Sequence, residues 1–198
     1  MRKISDLSRS EIGKLFPIKL EEHNQNWSNL FIEEATKIFD VLGTSIFRLH
    51  HIGSTSIPGL LSKPTIDILV EVGRNVEIDS IISSMKEIGY EHNQKRDLTS
   101  PSMMFMKGYS IEGITGQTYH VHVRYPGDWD ELYFCDYLSK YSSVCHSYAQ
   151  IKLELKEKYE FDREAYTEGK TEFIKSIVKL ARDEFYPRYD IIKNPQSR

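Results

Sequence analysis

Three features of this 198-residue sequence predict an α+β fold, a β-sheet flanked by helices and followed by a helical C-terminal segment. Short β-branched runs bounded by Gly, Pro and Ser crowd the first two thirds of the chain. Apolar residues at spacings of three and four interrupt those runs and take over from residue 128 onward. A composition of 39% hydrophobic and 28% charged residues suits one domain with a sizeable core. The predicted domain covers 1–198, with a sheet-containing core over about 18–126 and a helical part over about 127–187.

Residues 1–16 show weak periodicity, and Pro17 separates them from the rest of the chain. From Leu20 the apolar positions Trp27, Leu30, Phe31, Ala35, Ile38, Phe39 and Leu42 recur at helical spacing and end at the C-cap residue Gly43. Residues 46–52 and 65–72 are short and β-branched, which predicts two central strands. Ile78, Ile81, Ile82, Met85 and Ile88 return to helical spacing, closed by Gly89. Residues 91–102 are polar and predict a loop, and 103–109 with 118–125 predict a hairpin with Gly113 and Gly116 in its turn. Helices come next over 129–141, 144–159 and 166–185, broken near Ser142-Ser143 and Asp162-Arg163, and 194–198 reads as a frayed tail.

A formal charge of −3 gives no pull toward nucleic acid or an anionic membrane, so neither is predicted as a partner. The N-terminus lacks an apolar leader and no stretch approaches the ~20 apolar residues of a membrane span, which predicts a cytoplasmic protein. Cys135 and Cys145 fall ten apart in a helical region and read as reduced packing residues, not as a disulfide or a zinc cluster.

The chemistry concentrates in the stretch from His51 to Val72, HIGSTSIPGLLSKPTIDILVEV. Gly53 can adopt backbone angles closed to other residues, while Ser54, Thr55 and Ser56 offer hydroxyl and N–H groups, a combination that predicts a phosphate cradle. Pro58-Gly59 supplies a turn, and Pro64 biases Lys63 toward an extended conformation, so that Lys63 enters the next strand in a fixed direction. Alternation places Asp67, Leu69 and Glu71 on one strand face and Ile66, Ile68 and Val70 on the other. An acid inside an apolar strand requires a partner, which for Asp67 predicts metal or substrate contact, with pairing to Lys63 as the structural alternative. Glu71, at the strand end, reads equally as a metal helper or a solvated acid.

His120 and His122 share a face of a later strand and could converge on a divalent ion, although surface pairs of this kind are common. His51 reads as a residue that orients the Gly-Ser loop. Trp27, Phe31, Tyr148 and Tyr166 are core or groove aromatics. Lys152 and Lys170 sit either in solvent or over the sheet beside Tyr166, where they would neutralise phosphates, and Arg48 could point either way.

Gly53-Ser54, followed after twelve residues by Asp67-Ile68 in an apolar strand, resembles the signature of the nucleotidyltransferase superfamily. The fuller string GSTSIPGLLSKPTIDILV resembles the GrpB family specifically. Trp27, Phe31 and Glu34 upstream, then His120-Val121-His122, Asp136-Tyr137-Leu138, Lys152 and Tyr166-Thr167-Glu168-Gly169-Lys170 downstream, match that family's spacing, so the resemblance runs from about Leu20 to Ala181. It implies a nucleotidyltransferase-like mixed sheet that carries the site. It further implies transfer of a nucleotidyl or phosphoryl group from a nucleoside triphosphate to a small acceptor, with Mg2+ or another divalent cation. In that reading Asp67 is catalytic and holds metal with Glu71, His120 or His122, while Gly53, Ser54, Thr55, Lys63, Lys152, Lys170 and Tyr166 surround the phosphates. Superfamily enzymes usually carry a second acid where this chain has Leu69, and a third on the neighbouring strand where the histidines are expected. Leu69 therefore opens a second expectation, a catalytically inactive module that binds a nucleotide or a phosphorylated metabolite.

Overall fold

A computed structural model describes residues 3–93 and 102–194. Ser8 and Glu11 form a reciprocal capping box that starts α1 (Arg9–Leu15). This helix lies inside the stretch where periodicity is weak, because seven residues are too few to display an apolar stripe. α2 (Asn26–Leu42) starts six residues later than the spacing from Leu20 suggests, and Glu21 instead bridges to Ser62 as an isolated β pair.

The five strands are β1 (Ile46–Ile52), β2 (Thr65–Val72), β3 (Glu91–His92), β4 (Ser102–Ser110) and β5 (Gly113–Arg124), in the spatial order β1-β2-β5-β4-β3. The β2–β5 pair is parallel and the others are antiparallel, so the sheet is mixed. β1 is an edge strand, not a central one; β5 holds the centre because both β2 and β4 pair with it. Glu91 and His92 add a short edge strand where a loop is expected, while 94–101 and 195–198 lie outside the described residues. The hairpin turns at Ile111-Glu112, and both Gly113 and Gly116 lie inside β5 with positive φ.

One face of the sheet is closed by α2 and α3 (Ile78–Glu87). Ile66, Ile68, Val70 and Val72 of β2 pack there with Phe105, Val121 and Val123 and with Trp27, Ile38, Ile81 and Met85 of the helices. Each such side chain contributes on the order of 1.5–3 kcal/mol when fully buried. The helical part, α4 (Asp130–Lys140), α5 (Ser142–Tyr159), α6 (Arg163–Glu168) and α7 (Thr171–Phe185), packs toward the opposite face. The expected single helix over 166–185 is two, parted at Gly169 and Lys170. A second core joins Ile57 and Leu60, just past the Gly-Ser loop, to Phe134, Leu138, Tyr148 and Ile177. That contact clamps the loop against the helices. Cys135 and Cys145 are free thiols, as their spacing suggests.

Candidate functional site

Parallel pairing sets Asp67 opposite His120 and Leu69 opposite His122, while antiparallel pairing sets Ile52 and His50 on the other side of the same two rows. The site therefore grows from register alone. Asp67 Oδ1 lies 3.2 Å from His120 Nδ1 and 4.0 Å from His122 Nε2. Burial pushes the Asp67 carboxyl up, but the hydrogen bonds of the two histidines outweigh it and hold the group well below the usual carboxylate range. Burial likewise keeps the His120 ring neutral, opposed only in part by Asp67.

Gly53 is fixed by both its angles and its neighbour. Its φ is +73°, and a Cβ there would come within 2.5 Å of Asp67 Oδ2. No side chain fits between this loop and the acid. The adjoining residues Ser54–Ser56 form a 3-10 turn, in which the Ser56 hydroxyl donates to the Gly53 carbonyl at 2.7 Å. Thr55 is buried, donates its hydroxyl to the Thr65 carbonyl at 3.1 Å, and sits 3.1 Å from His51 Nε2. His51 stacks on Phe31 with ring centroids 4.7 Å apart, and burial drops its pKa to about 4. The ring is neutral and braces the loop through Thr55, while the hydroxyls of Ser54 and Ser56 face Lys152 of α5 and Cys135 of α4.

Lys152 of α5 meets Ser54. It is 2% exposed, lies 3.4 Å from Ser54 Oγ and donates to the Leu61 carbonyl. Lys63 and Lys170 approach the same region from the start of β2 and the break between α6 and α7, and both lie over the Tyr166 ring, at 5.5 and 4.7 Å from its centroid. Among the described residues neither ammonium group has a hydrogen-bonded or ion-paired partner. Burial and mutual repulsion bring Lys63 and Lys152 down to about 7, and burial brings Lys170 to about 8, with Asp67 acting against the fall at Lys63 and Lys170. Three lysine side chains thus converge around Tyr148 and Tyr166, two of them within electrostatic reach of Asp67.

Glu71 is placed differently. It lies four residues along β2, roughly 13 Å from Asp67 at the usual strand rise. Its carboxylate is fully buried and taken up by Arg48 at 2.9 Å, Trp129 Nε1 at 3.0 Å and the Gly127 N–H at 2.8 Å. The solvated strand end expected from the sequence is a closed ion pair, and Arg48 points inward to make it. Leu69 is also fully buried, covered by Ile52 and by Leu132 of α4. The place of a second acid is filled by a helix contact.

These facts bear on a divalent ion. Glu71 is spent on Arg48, Leu69 is apolar, and both ring nitrogens of His120 are bonded, one to Asp67 and the other to Tyr109 at 2.9 Å. Among the described residues no group of three or more His, Cys, Asp or Glu side chains is arranged to hold a metal. The donor set does not fit a two-ion centre. Sequence reasoning misses Tyr109, whose signal is Gly108, a glycine inside a strand pattern and a mark of a bulge. It also misses Arg163, whose charge presses on Lys63 and Lys170.

A groove of about 1100 Å3 lies to one side, between Arg124 at the end of β5, Glu131 of α4 and Ile174, Val178 and Arg182 of α7. Asp67, Lys63, Lys152 and Lys170 do not line it.

The family description "GrpB protein" matches residues 17–180. The chain belongs to the GrpB family. The glutamate-rich protein GrpB of Alkalihalophilus pseudofirmus is 33% identical over 80% of this chain and 92% of its own length. The protein YqkA of Bacillus subtilis is 31% identical over 81% of this chain but 46% of its own length. The crystal structure of GrpB from Enterococcus faecalis superposes with a TM-score of 0.75 at 28% identity, covering 85% of this chain and 99% of that one. The mixed sheet flanked by helices is therefore a GrpB fold, and the candidate site lies where its Gly-Ser loop, β2, β5 and C-terminal helices meet. No described helix is long and apolar enough to cross a membrane.

Proposed function

We propose that this GrpB-family protein binds a nucleoside triphosphate and transfers its nucleotidyl group to an acceptor hydroxyl. The observation that carries the reading is the trio Lys63, Lys152 and Lys170, gathered around Tyr148 and Tyr166 with a single carboxylate nearby. Like charges are held together at a cost in electrostatic energy unless an anion joins them, and a polyphosphate supplies several negative oxygens at once. Gly53 brings backbone close to such a ligand, and Ser54 adds a hydroxyl beside Lys152. Asp67, ionised and bonded to neutral His120, gives the pocket a base oriented by a carboxylate. Lysines that neutralise the leaving phosphate and a base that accepts the hydroxyl proton are the two parts that transfer requires. The divalent ion implied by the superfamily resemblance finds no cage here, so its effect is a readout of the test and not a premise.

The test is a melting-temperature series with ATP, GTP, CTP and UTP, each with magnesium and with a chelator. A triphosphate at a hundredfold excess over its Kd stabilises the native state by about 2.7 kcal/mol. Lys152→Met and Lys170→Met keep the side-chain volume and lose the charge. Each is expected to weaken triphosphate binding by tenfold or more, since a hydrogen bond to a charged group contributes about 1.5–3 kcal/mol. No shift with any triphosphate under either condition would overturn the proposal.

Leu69 favours a second reading. Its burial under Leu132 removes the second acid, and a protein of this kind would bind the triphosphate and release it unchanged. Stabilisation by a triphosphate without any pyrophosphate release would support that reading over transfer.

A further inference from the structure

The strand that carries Tyr109 should point it away from the site. Ser102, Met104 and Met106 of β4 pair with Arg124, His122 and His120 and share the Asp67 face, so regular alternation would send residue 109 to the opposite face. The register shifts between Lys107 and Tyr109, where Gly108 takes a φ of +89° and a Cβ would lie 2.4 Å from the Gln117 carbonyl oxygen. This irregularity changes the parity of the strand. Tyr109 consequently stacks on His120, with ring centroids 5.7 Å apart and planes at 14°, and its hydroxyl lies 2.9 Å from His120 Nε2. Phe16 packs edge-on against the phenol at 5.3 Å and holds it there.

The partners dictate the direction of the protons. A carboxylate can only accept, so the 3.2 Å contact puts the hydrogen on His120 Nδ1, and a neutral ring then has a lone pair on Nε2. Tyr109 must be the donor in the second bond. A hydroxyl donating to an imidazole, which in turn donates to a carboxylate, is the arrangement that activates an oxygen nucleophile. The hydroxyl that the base needs is already present, on the protein itself.

We propose that Tyr109 is the acceptor, and that the protein nucleotidylates its own phenol. The inference rests on the triphosphate reading above and names the substrate hydroxyl. The Tyr109 oxygen attacks the α-phosphorus of a bound nucleoside triphosphate. The new bond is Tyr109 O–Pα, the bond broken is the one from Pα to the bridging oxygen toward Pβ, and pyrophosphate leaves with that electron pair. The phenolic proton passes to His120 Nε2, and Asp67 stabilises the resulting imidazolium. No electrons change hands, and the product is a phosphodiester on tyrosine. Lys63 and Lys170, within electrostatic reach of Asp67, together with Lys152 beside Ser54, would take the charge of the departing pyrophosphate.

The experiment incubates the full chain with each of the four α-phosphate-labelled ribonucleoside triphosphates, with magnesium or manganese, alongside the melting series on the same sample. Intact mass and peptide mapping then locate any adduct. The expected result is one nucleoside monophosphate per chain, on Tyr109, with stoichiometric pyrophosphate. Tyr109→Phe, which retains the ring against Phe16, should carry no label, and His120→Gln should slow labelling by about a hundredfold or more. A triphosphate that raises the melting temperature while no label appears, or while label appears on another residue or a small acceptor, overturns the Tyr109 assignment and leaves triphosphate binding standing. Absence of any melting shift and any label overturns both.

Discussion

At the scale of single residues, the two acids on one face of β2 have opposite fates. Asp67 keeps partial contact with solvent and two imidazoles, whereas Glu71 is sealed beneath Arg48, Trp129 and Gly127. Glu71→Gln should therefore act on stability and not on ligand affinity. Removing one partner of a buried ion pair leaves the other charge uncompensated, which predicts a loss of about 3 kcal/mol in urea unfolding. A variant with unaltered unfolding but weakened triphosphate binding would return Glu71 to the site. Asp67 is legible in the sequence because an acid in the middle of an apolar run has few explanations. Glu71 is ambiguous there, since the arginine and tryptophan that claim it lie 23 residues before and 58 after. Tyr109 is hidden for a related reason: alternation assigns it to the wrong face unless the bulge at Gly108 is taken into account.

Among the elements, α4 decides what the site lacks. Leu132 lies against Leu69 and Ile52, so the row that would hold a second acid is part of a small apolar cluster. Leu69→Asp is thus expected to destabilise the fold by at least ~2 kcal/mol rather than to complete a two-acid centre, because the new carboxylate would be buried without a partner. Thermal unfolding with and without magnesium checks this, and a variant stabilised by magnesium above the wild type would refute it. The strands of the Gly-Ser unit and α3 are readable from β-branched content and spacing at nearly their observed limits. The strand order is not, because nothing local in 46–52 distinguishes an edge from a centre. The break at Gly169-Lys170 is also obscured by continuous helical spacing on either side, yet it is what delivers Lys170 to Tyr166.

For the molecule as a whole, the desolvated lysines leave a signature in the pH dependence of stability. Lys63 and Lys152 titrate near 7 and Lys170 near 8 in the folded chain, against 10.5 when free. Between those values the unfolded chain binds more protons than the folded one, so stability rises with pH from about 7 toward 10. His51, near 4 when folded against 6.5 when free, gives the same sign at lower pH. Urea unfolding at pH 7 and pH 9 in an anion-free buffer measures this directly. Inorganic triphosphate should flatten the rise, since it favours the charged lysines. Equal or falling stability over that interval would mean that the ammonium groups are better solvated than their burial indicates.

Asp67 and His120 are 53 residues apart and meet through a parallel pair, which no tight turn can close. Lys152 joins Ser54 across 98 residues. Contacts that close such long loops are entropically disfavoured until the intervening strands are in place. On the ribosome, the Gly-Ser loop and Asp67 emerge first, without the imidazole, the phenol or two of the three ammonium groups. The site is consequently incomplete until synthesis has passed Lys170, and a chain released before β5 carries Asp67 without either of its two histidines.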